Sequence, residues 1–284
     1  MTSSSSAFLK RVRAILLLGL ILGGCDGMPG DEPDPADRPP QTLTIRVDET
    51  LHDLLRHNPE LAIDFDRVAD TDPIIFGDHW IKVVYDEGDH RLEFDPGRTL
   101  MIGQTAGRIE SITFNPHRDA LPFQDMDAFA KREIRKVEDK GWTRTYSGIP
   151  GSEDEITKTL DGTKIYATLT NGRGVTMALT VSNLSRVPSM PSYILLKNPP
   201  PRPVYEQPVY VMKIYIGLEA SGGWFDYRNS VYARRLLVNG SEYEELPLKV
   251  WVDDPDWTPL KAGMIRDSER WNLPGQPPPE RRPR

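Results

Sequence analysis

The chain has 284 residues, a formal net charge of −7 and a single cysteine. A chain of this length can bury one sizeable core or two small ones, and one cysteine excludes an intramolecular disulfide. The negative charge disfavours nucleic acid and anionic lipid headgroups as partners and favours basic ones.

The N-terminus has the three parts of a secretory signal in the expected order. Residues 1–13 carry three positive charges and no acidic residue, residues 14–22 are apolar apart from Gly19, and two glycines follow. About 20 apolar residues are needed to span a bilayer, so this apolar run is too short for a stable transmembrane helix. We therefore predict a signal peptide over residues 1–24.

The single cysteine follows this segment directly. Leu22-Gly23-Gly24-Cys25 resembles the lipobox of bacterial lipoproteins, and the match covers only residues 1–25. In that family the cysteine receives a diacylglycerol on its sulfur, becomes the new N-terminus after cleavage and is then acylated on nitrogen. The resemblance implies that Cys25 is the lipidation site and that the lipid bilayer is a partner. The alternatives are an ordinary secretory signal and a buried N-terminal helix with a chance cysteine.

Residues 25–41 are expected to form a tether that begins at the lipidated cysteine. This stretch is rich in Pro and Asp, and proline stiffness with like charge favours an extended chain. In lipoproteins of enterobacterial type, an aspartate directly after the cysteine disfavours transfer to the outer membrane. Asp26 therefore implies retention on the periplasmic face of the inner membrane. Cleavage before Cys25 removes three of the 35 basic residues and none of the 42 acidic ones, which takes the formal net charge to −10.

Hydrophobic alternation and turn signals predict a folded part dominated by strands. The strands are predicted at Thr42–Val47, Ile81–Tyr85, Arg91–Phe94, Leu100–Ile102, Ile109–Phe114, Lys164–Thr170, Val175–Ser182, Val209–Leu218, Val231–Val238 and Glu242–Val252. The clearest hairpin joins Lys164–Thr170 to Val175–Ser182, whose alternation places apolar residues on one face. The last two strands are expected to pair through Asn239-Gly240, with Pro247 keeping the final strand at an edge.

Two helices are predicted. A short one covers Glu49–His57, and the clearest one runs from Met126 to Lys140, with Asp125 as N-cap and Gly141 as the C-terminal stop. The longer helix carries apolar residues at three-and-four spacing on one face, and its charged face includes Glu133. We interpret the charged face as a solvated surface, with a partner-binding stripe as the alternative.

This order of elements predicts an α+β fold, a mostly antiparallel sheet with one main amphipathic helix packed on it. We expect an α+β domain over residues 42–197, a β-rich segment or subdomain over residues 204–260 and a disordered Pro/Arg tail over residues 266–284. The proline run between residues 198 and 203 separates the first two. The sequence leaves open whether the second segment completes the first sheet or forms a second small β-domain.

The sequence carries no recognisable catalytic motif. It lacks G-x-S-x-G, H-E-x-x-H, a P-loop and a G-x-G-x-x-G segment that opens a helix, and lipidation would consume the one thiol. His79 and His90 could converge on a metal with Asp86 or Glu87, but we interpret them as turn residues because no pair has a helical metal spacing. We therefore expect no enzyme activity, no metal and no cofactor.

Two further clusters were considered as sites. Asp253, Asp254 and Asp256 could suggest glycoside chemistry or calcium, but with Trp257 beside them we favour a turn packed on an aromatic ring. Trp224, Phe225 and Tyr227 follow a Ser-Gly-Gly sequence in a predicted loop. Exposed rings of this kind anchor protein interfaces, so these three are the candidate partner-binding residues; the alternative is a small satellite core at the sheet edge.

These observations predict a membrane-anchored periplasmic binding lipoprotein. One form of this hypothesis is an immunity protein that neutralises a periplasm-acting toxin by direct binding. It rests on the predicted location in the cell envelope, on the size of the chain and on its acidic surface. The alternative is a structural or assembly lipoprotein of the cell envelope, which shares every one of these features. An envelope hydrolase is a third class of protein, and it requires a set of catalytic residues that is not recognisable in the sequence.

Overall fold

The computed structural model describes residues 39–76, 80–117, 119–185, 207–219, 222–235, 237–238, 242–243 and 245–258. The signal segment, Cys25, most of the tether and the tail over residues 266–284 lie outside this part of the chain. Of residues 222–226, 237–238 and 242–243 only the backbone is described.

The described residues form twelve strands, five α-helices and one short 3-10 helix over Gly88–His90. The strands are β1 (Gln41–Ile45), β2 (Ile74–Phe76), β3 (Ile81–Tyr85), β4 (Leu92–Glu93), β5 (Leu100–Thr105), β6 (Arg108–Phe114), β7 (Thr143–Ser147), β8 (Thr163–Thr170), β9 (Val175–Asn183), β10 (Tyr210–Leu218), β11 (Leu237–Val238) and β12 (Glu242–Tyr243). The helices are α1 (Leu51–His57), α2 (Phe123–Asp139), α3 (Asp154–Thr157), α4 (Gly222–Arg234) and α5 (Leu248–Asp253).

A seven-stranded sheet in the order β2-β5-β6-β10-β9-β8-β7 is the centre of the fold. Every neighbouring pair in it is antiparallel. β10 pairs with β6 on one side and β9 on the other, so the chain after the proline run contributes a central strand of the main sheet. The predicted α+β class is confirmed.

One face of this sheet is covered and apolar. Along β9 the side chains of Val175, Met177, Leu179 and Val181 are buried while their neighbours are partly exposed, as the predicted alternation requires. α2 lies against β9 and β10 with Met126, Phe129, Ala130, Ile134 and Val137 buried. The amphipathic helix therefore packs on the sheet as the sequence predicts.

Two details of α2 differ from the prediction. Its N-cap is Pro122, and Asp125 lies within the first turn, where its charge complements the helix dipole. Glu133, assigned to the solvated face, is only 2% exposed and forms an ion pair with Lys136. Position 133 is four residues after Phe129, and this spacing places it on the buried stripe of the helix.

A second, three-stranded sheet in the order β1-β3-β4 contacts α2, where Lys136 Nζ donates to the Glu93 carbonyl of β4 at 2.9 Å. β1 and β3 are parallel and β3 and β4 are antiparallel. Phe94, just after β4, contacts Phe114 of β6 with ring centroids 4.9 Å apart, so the two sheets share one hydrophobic core.

The C-terminal part differs most from the prediction. Residues 231–234 of the predicted strand Val231–Val238 belong to helix α4. Residues 248–252 of the predicted strand Glu242–Val252 belong to helix α5, for which Pro247 is the N-cap. Only the short strands β11 and β12 pair as expected. α4 buries Val231 and ends beside the buried Arg235, four positions further on, and this helical spacing brings both against the body of the fold.

Candidate binding cleft

An open cleft of about 380 Å³ lies where the end of β1, the end of α1 and the β3–β4 connection meet. Its lining combines charged side chains with the strand backbone. The lining residues are Thr44, Ile45, Arg46, Glu49, His57, Asp86 and Gly88.

A tight turn between β1 and α1 places Glu49 in this cleft. Asp48 has φ +69°, and its N–H donates to the Ile109 carbonyl at 2.8 Å, while Ile109 N–H donates to the Glu49 carbonyl at 2.9 Å. Thr50 then caps α1 in a capping box with Asp53. Glu49 is therefore held on one side by pairing to β6 and on the other by the start of a capped helix.

The Glu49 carboxylate is the buried acid of the cleft. Its side chain is 1% exposed, one oxygen accepts a hydrogen bond from Arg46 N–H at 2.8 Å, and the other lies 3.7 Å from His57 Nδ1. Burial raises the pKa of Glu49, and the Arg46 N–H and the His57 ring oppose that rise. Because 3.7 Å exceeds a normal hydrogen bond, the second oxygen can accept one from an incoming donor.

The end of α1 is held rigidly beside this acid. The Asn58 amide N–H donates to the carbonyls of Thr44 and Leu54, both at 2.7 Å, and Asn58 Oδ1 accepts from Thr44 N–H at 2.8 Å. Asn58 is 1% exposed. His57, one residue earlier, keeps 47% of its side chain exposed, so it forms part of the cleft wall that solvent reaches.

Charged groups of both signs line the upper part of the cleft. Asp86 pairs with Arg91 at 2.5 Å and accepts from Gly88 N–H at 3.3 Å. Arg46 is exposed at the rim. A ligand that enters the cleft therefore contacts the exposed Arg46 cation before it reaches the buried Glu49 carboxylate. This arrangement suits a partner surface that carries paired opposite charges.

The predicted partner-binding residues lie elsewhere. Trp224, Phe225 and Tyr227 belong to helix α4, so the predicted Gly-rich loop is wrong. The Tyr227 hydroxyl donates to the carbonyls of Thr105 at 3.2 Å and Ala106 at 3.3 Å, which directs it toward the β5–β6 turn. The side chains of Trp224 and Phe225 lie outside the described residues, so their role in binding stays a prediction.

Some of the other candidate residues can be located. His90 Nδ1 lies 2.9 Å from the Lys140 carbonyl, whereas His79 is outside the described residues. Within the described part of the chain, no group of three or more His, Cys, Asp or Glu residues could hold a metal.

In the acidic cluster near the C-terminus, Asp254 and Asp256 form a turn as predicted, whereas Asp253 is the last residue of helix α5. Asp254 accepts from Asp256 N–H at 3.1 Å, and the buried Trp257 packs on Trp251 with ring centroids 5.5 Å apart. The interpretation of this segment as a turn on an aromatic ring is confirmed.

Sequence reasoning missed the cleft. The sequence predicts Glu49 at the start of a helix and Arg46 within a strand. Nothing local indicates that Glu49 is buried, because its burial depends on pairing with β6, some 60 residues later. The Asp48-Glu49-Thr50 sequence before α1 was the one available signal, and it indicates a helix cap rather than a site.

Comparison with known proteins adds no relative: the chain matches no family model, no curated protein and no solved structure. Among the residues that the structure describes, none of the helices has the length and apolar character needed to cross a bilayer.

Proposed function

We propose that this chain is a lipid-anchored binding protein of the bacterial envelope that acts by holding a protein partner, without catalysis. The cleft that contains Glu49 carries the proposal. A carboxylate that is 1% exposed yet keeps one oxygen 3.7 Å from its nearest basic group suits an incoming N–H donor.

The partner chemistry follows from the charges of the cleft. A lysine or arginine side chain of the partner donates to Glu49, and an acidic side chain pairs with the exposed Arg46. The formal net charge of −7 supports attraction of a basic partner at long range. A periplasm-acting toxin neutralised by direct binding is the form of this function that we favour, which makes the chain an immunity protein.

The anchor is part of the same proposal. Acylation of Cys25 and retention at the inner membrane through Asp26 place the binding domain on the periplasmic side, and residues 25–41 set its distance from the bilayer. Full-length chain produced with its own signal should appear in the membrane fraction with an acylated N-terminus at Cys25 in intact-mass analysis. A Cys25→Ser variant should leave the membrane. An unmodified, uncleaved native N-terminus contradicts the anchor.

Partner binding is tested with the product of the neighbouring open reading frame. The two chains should co-purify in equal amounts, and the lipoprotein should rescue cells from the toxicity of that product. Glu49→Gln keeps the size of the side chain and removes its charge, so it should weaken the complex. Glu60→Gln, an exposed acid outside the cleft, is the matched control. Failure of both co-purification and rescue removes the immunity role, and a deletion phenotype under detergent or osmotic stress then supports a structural or assembly role.

A further inference from the structure

The outer face of the seven-stranded sheet has a definite pattern of side chains. On β9 the buried residues face α2, so Thr176, Ala178 and Thr180 point to the opposite face and are partly exposed. Residues that pair across neighbouring strands lie on the same face of the sheet. Tyr215 and Lys213 of β10 pair with Ala178 and Thr180, so they also lie on the outer face. In the part of the chain that the structure describes, the helices that contact β8, β9 and β10 bury their apolar residues in the core on the inner side.

Two tyrosines share one row across this outer face. Tyr215 on β10 pairs with Ala178 on β9, Ala178 pairs with Thr168 on β8, and Thr168 pairs with Tyr146 on β7. Adjacent strands are about 4.8 Å apart, so the two tyrosines are separated by about 14 Å. The two residues between them in the row, Ala178 and Thr168, have small side chains.

Both tyrosine rings lie along their strands over a glycine. The phenol end of Tyr215 occupies the place where a Cβ on Gly217 would lie, with Cζ 2.5 Å from that position. The Tyr146 hydroxyl and Cε1 lie 2.6 and 2.7 Å from the corresponding position at Gly148. Each phenol end therefore lies close to the sheet surface, and both side chains keep a large exposed fraction.

Exposed apolar surface is concentrated on this face. Among the described residues, four large hydrophobic side chains are exposed, and three of them lie here: Tyr146 at 51%, Ile165 at 45% and Tyr215 at 40%. Ile165 lies opposite Thr180, one row away from the tyrosines. Leu160, the fourth, precedes β8 and belongs to none of the strands. Such a concentration on one face of a small protein indicates a binding surface.

Hydroxyl groups surround the rings. Thr168 lies within the row beside Tyr146, Thr113 extends the row beyond Tyr215, and Thr176 and Thr180 lie one row to either side. The hydroxyls of Thr176 and Thr180 lie within 3.4 Å of backbone carbonyls of β10 and retain acceptor capacity. Among the described residues, the face thus combines aromatic side chains with many hydroxyl acceptors and one cation, Lys213, whose pKa is lowered by burial.

We propose that this outer face binds a linear polysaccharide of the cell envelope, laid flat across the strands with sugar rings stacked on Tyr146 and Tyr215. The C–H face of a pyranose ring packs on an aromatic face, and its hydroxyls hydrogen-bond to the surrounding threonines. Nucleic-acid bases also stack on tyrosine, but a chain with a formal net charge of −7 repels a polyanion, and Lys213 is the one cation that the described strands place centrally on this face. An uncharged or weakly charged glycan meets no such repulsion.

This site lies on the sheet and is independent of the Glu49 cleft, so the protein can hold a glycan and a partner at once. Full-length chain is purified in a detergent without a sugar headgroup and titrated with chitin oligosaccharides and cello-oligosaccharides by calorimetry. Sedimentation with isolated peptidoglycan sacculi gives the second readout. We expect saturable binding of at least one of these glycans.

The variants separate stacking from folding. Tyr146→Ala and Tyr215→Ala should each weaken glycan binding by about tenfold or more, whereas the phenylalanine replacements at both positions should retain it because the ring is kept. Thr168→Glu places a charge between the two rings without contacting either ring and should abolish binding. Leu160→Ala is the matched control for an exposed apolar residue and should bind as wild type.

Absence of binding to all of these glycans and to sacculi overturns the proposal. The proposal is also wrong if the tyrosine and Thr168 variants unfold at the wild-type temperature and still bind glycan as the wild type does. If the same variants instead abolish co-purification of a protein partner while no glycan binds, the face is a protein interface and the glycan proposal is wrong.

Discussion

Asp70 and Arg235, 165 positions apart, form a two-point salt bridge that is almost completely buried. Arg235 Nε donates to Asp70 Oδ2 at 2.8 Å and Nη2 donates to the other oxygen, while the Trp251 indole N–H donates to Oδ2 at 2.9 Å. Asp70 precedes the main sheet and the other two residues belong to the C-terminal helical part. This contact therefore fixes α4 and α5 against the body of the protein.

Removal of one partner of this pair should be strongly destabilising. Arg235→Ala leaves the Asp70 carboxylate buried without its cation, and we expect the free energy of unfolding to fall by about 3–5 kcal/mol. Urea unfolding followed by tryptophan fluorescence measures this, since Trp251 lies in the same cluster. Arg67→Ala is the control: Arg67 pairs with Asp64 on the surface with 87% of its side chain exposed and should not measurably change stability. Equal urea midpoints for the two variants would contradict the structural role of the buried pair.

His117 should make stability depend on pH. Beyond the end of β6, His117 Nε2 accepts the Met212 N–H at 3.2 Å and the Asn115 amide donates to the Met212 carbonyl at 2.7 Å, so two side chains continue the pairing of β10. Burial lowers the pKa of His117 because it disfavours the charged ring, and a backbone hydrogen bond with Asp119 and the charges of Asp119 and Asp95 oppose that shift.

The direction of the effect follows from proton linkage. Between the lowered native pKa and the unfolded value of about 6.5, the unfolded chain binds more protons, so the free energy of unfolding should fall as pH falls through this window. His117→Gln retains an acceptor without titrating and should flatten this part of the curve. Urea unfolding at several pH values checks it, with His90→Gln as control. A wild-type slope retained in His117→Gln would refute the assignment.

Glu49 should act in the opposite sense. Its native pKa is raised, so the native state keeps a proton that the unfolded chain releases, and its contribution to stability is lost as pH rises from about 4.5 through the native value. Glu49→Gln keeps an oxygen for the Arg46 N–H and cannot ionise. We expect the stability of the variant relative to wild type to increase with pH over that range. A constant difference would mean that Glu49 is not desolvated.

Gln104 is expected to stabilise the β5–β6 turn. Its buried amide donates to the carbonyls of Ala69 at 3.1 Å and Asp72 at 2.8 Å, and its oxygen accepts from Gly107 N–H at 2.9 Å. Gln104→Leu leaves the Asp72 carbonyl and the Gly107 N–H without this partner, while the Ala69 carbonyl still accepts from Asp72 N–H at 3.0 Å, and the free energy of unfolding should fall by about 3 kcal/mol. Calorimetric unfolding measures the loss. Gln41→Leu, at a partly exposed position, should change stability far less.

The elements that the sequence predicted well are those whose pattern is local and regular. Strand β9 of the β8–β9 hairpin and helix α2 show a period of two and of three-and-four, β10 is a continuous apolar run apart from Lys213, and all three elements are present. Glu133 shows the limit of residue type as a guide. Its charge suggested solvent, while its position on the apolar stripe of α2 decided that it is buried.

The C-terminal helices were mistaken for strands because their sequences favour strands locally. β-branched and aromatic residues such as Val231 and Trp251 have strand propensity, but in the structure they face a small second core with Trp257 and Leu246. Burial of those side chains, together with the Asp70–Arg235 contact, overrides the local preference. No nearby residue carries that information.

By itself the sequence determined the α+β class, the main amphipathic helix and the alternation of the central strands, because the period of apolar residues follows directly from helix and strand geometry. Tertiary structure alone decided the strand order, the Glu49 cleft and the row from Tyr215 to Tyr146. These depend on register between strands far apart in the chain, and register is set by which distant side chains bury together.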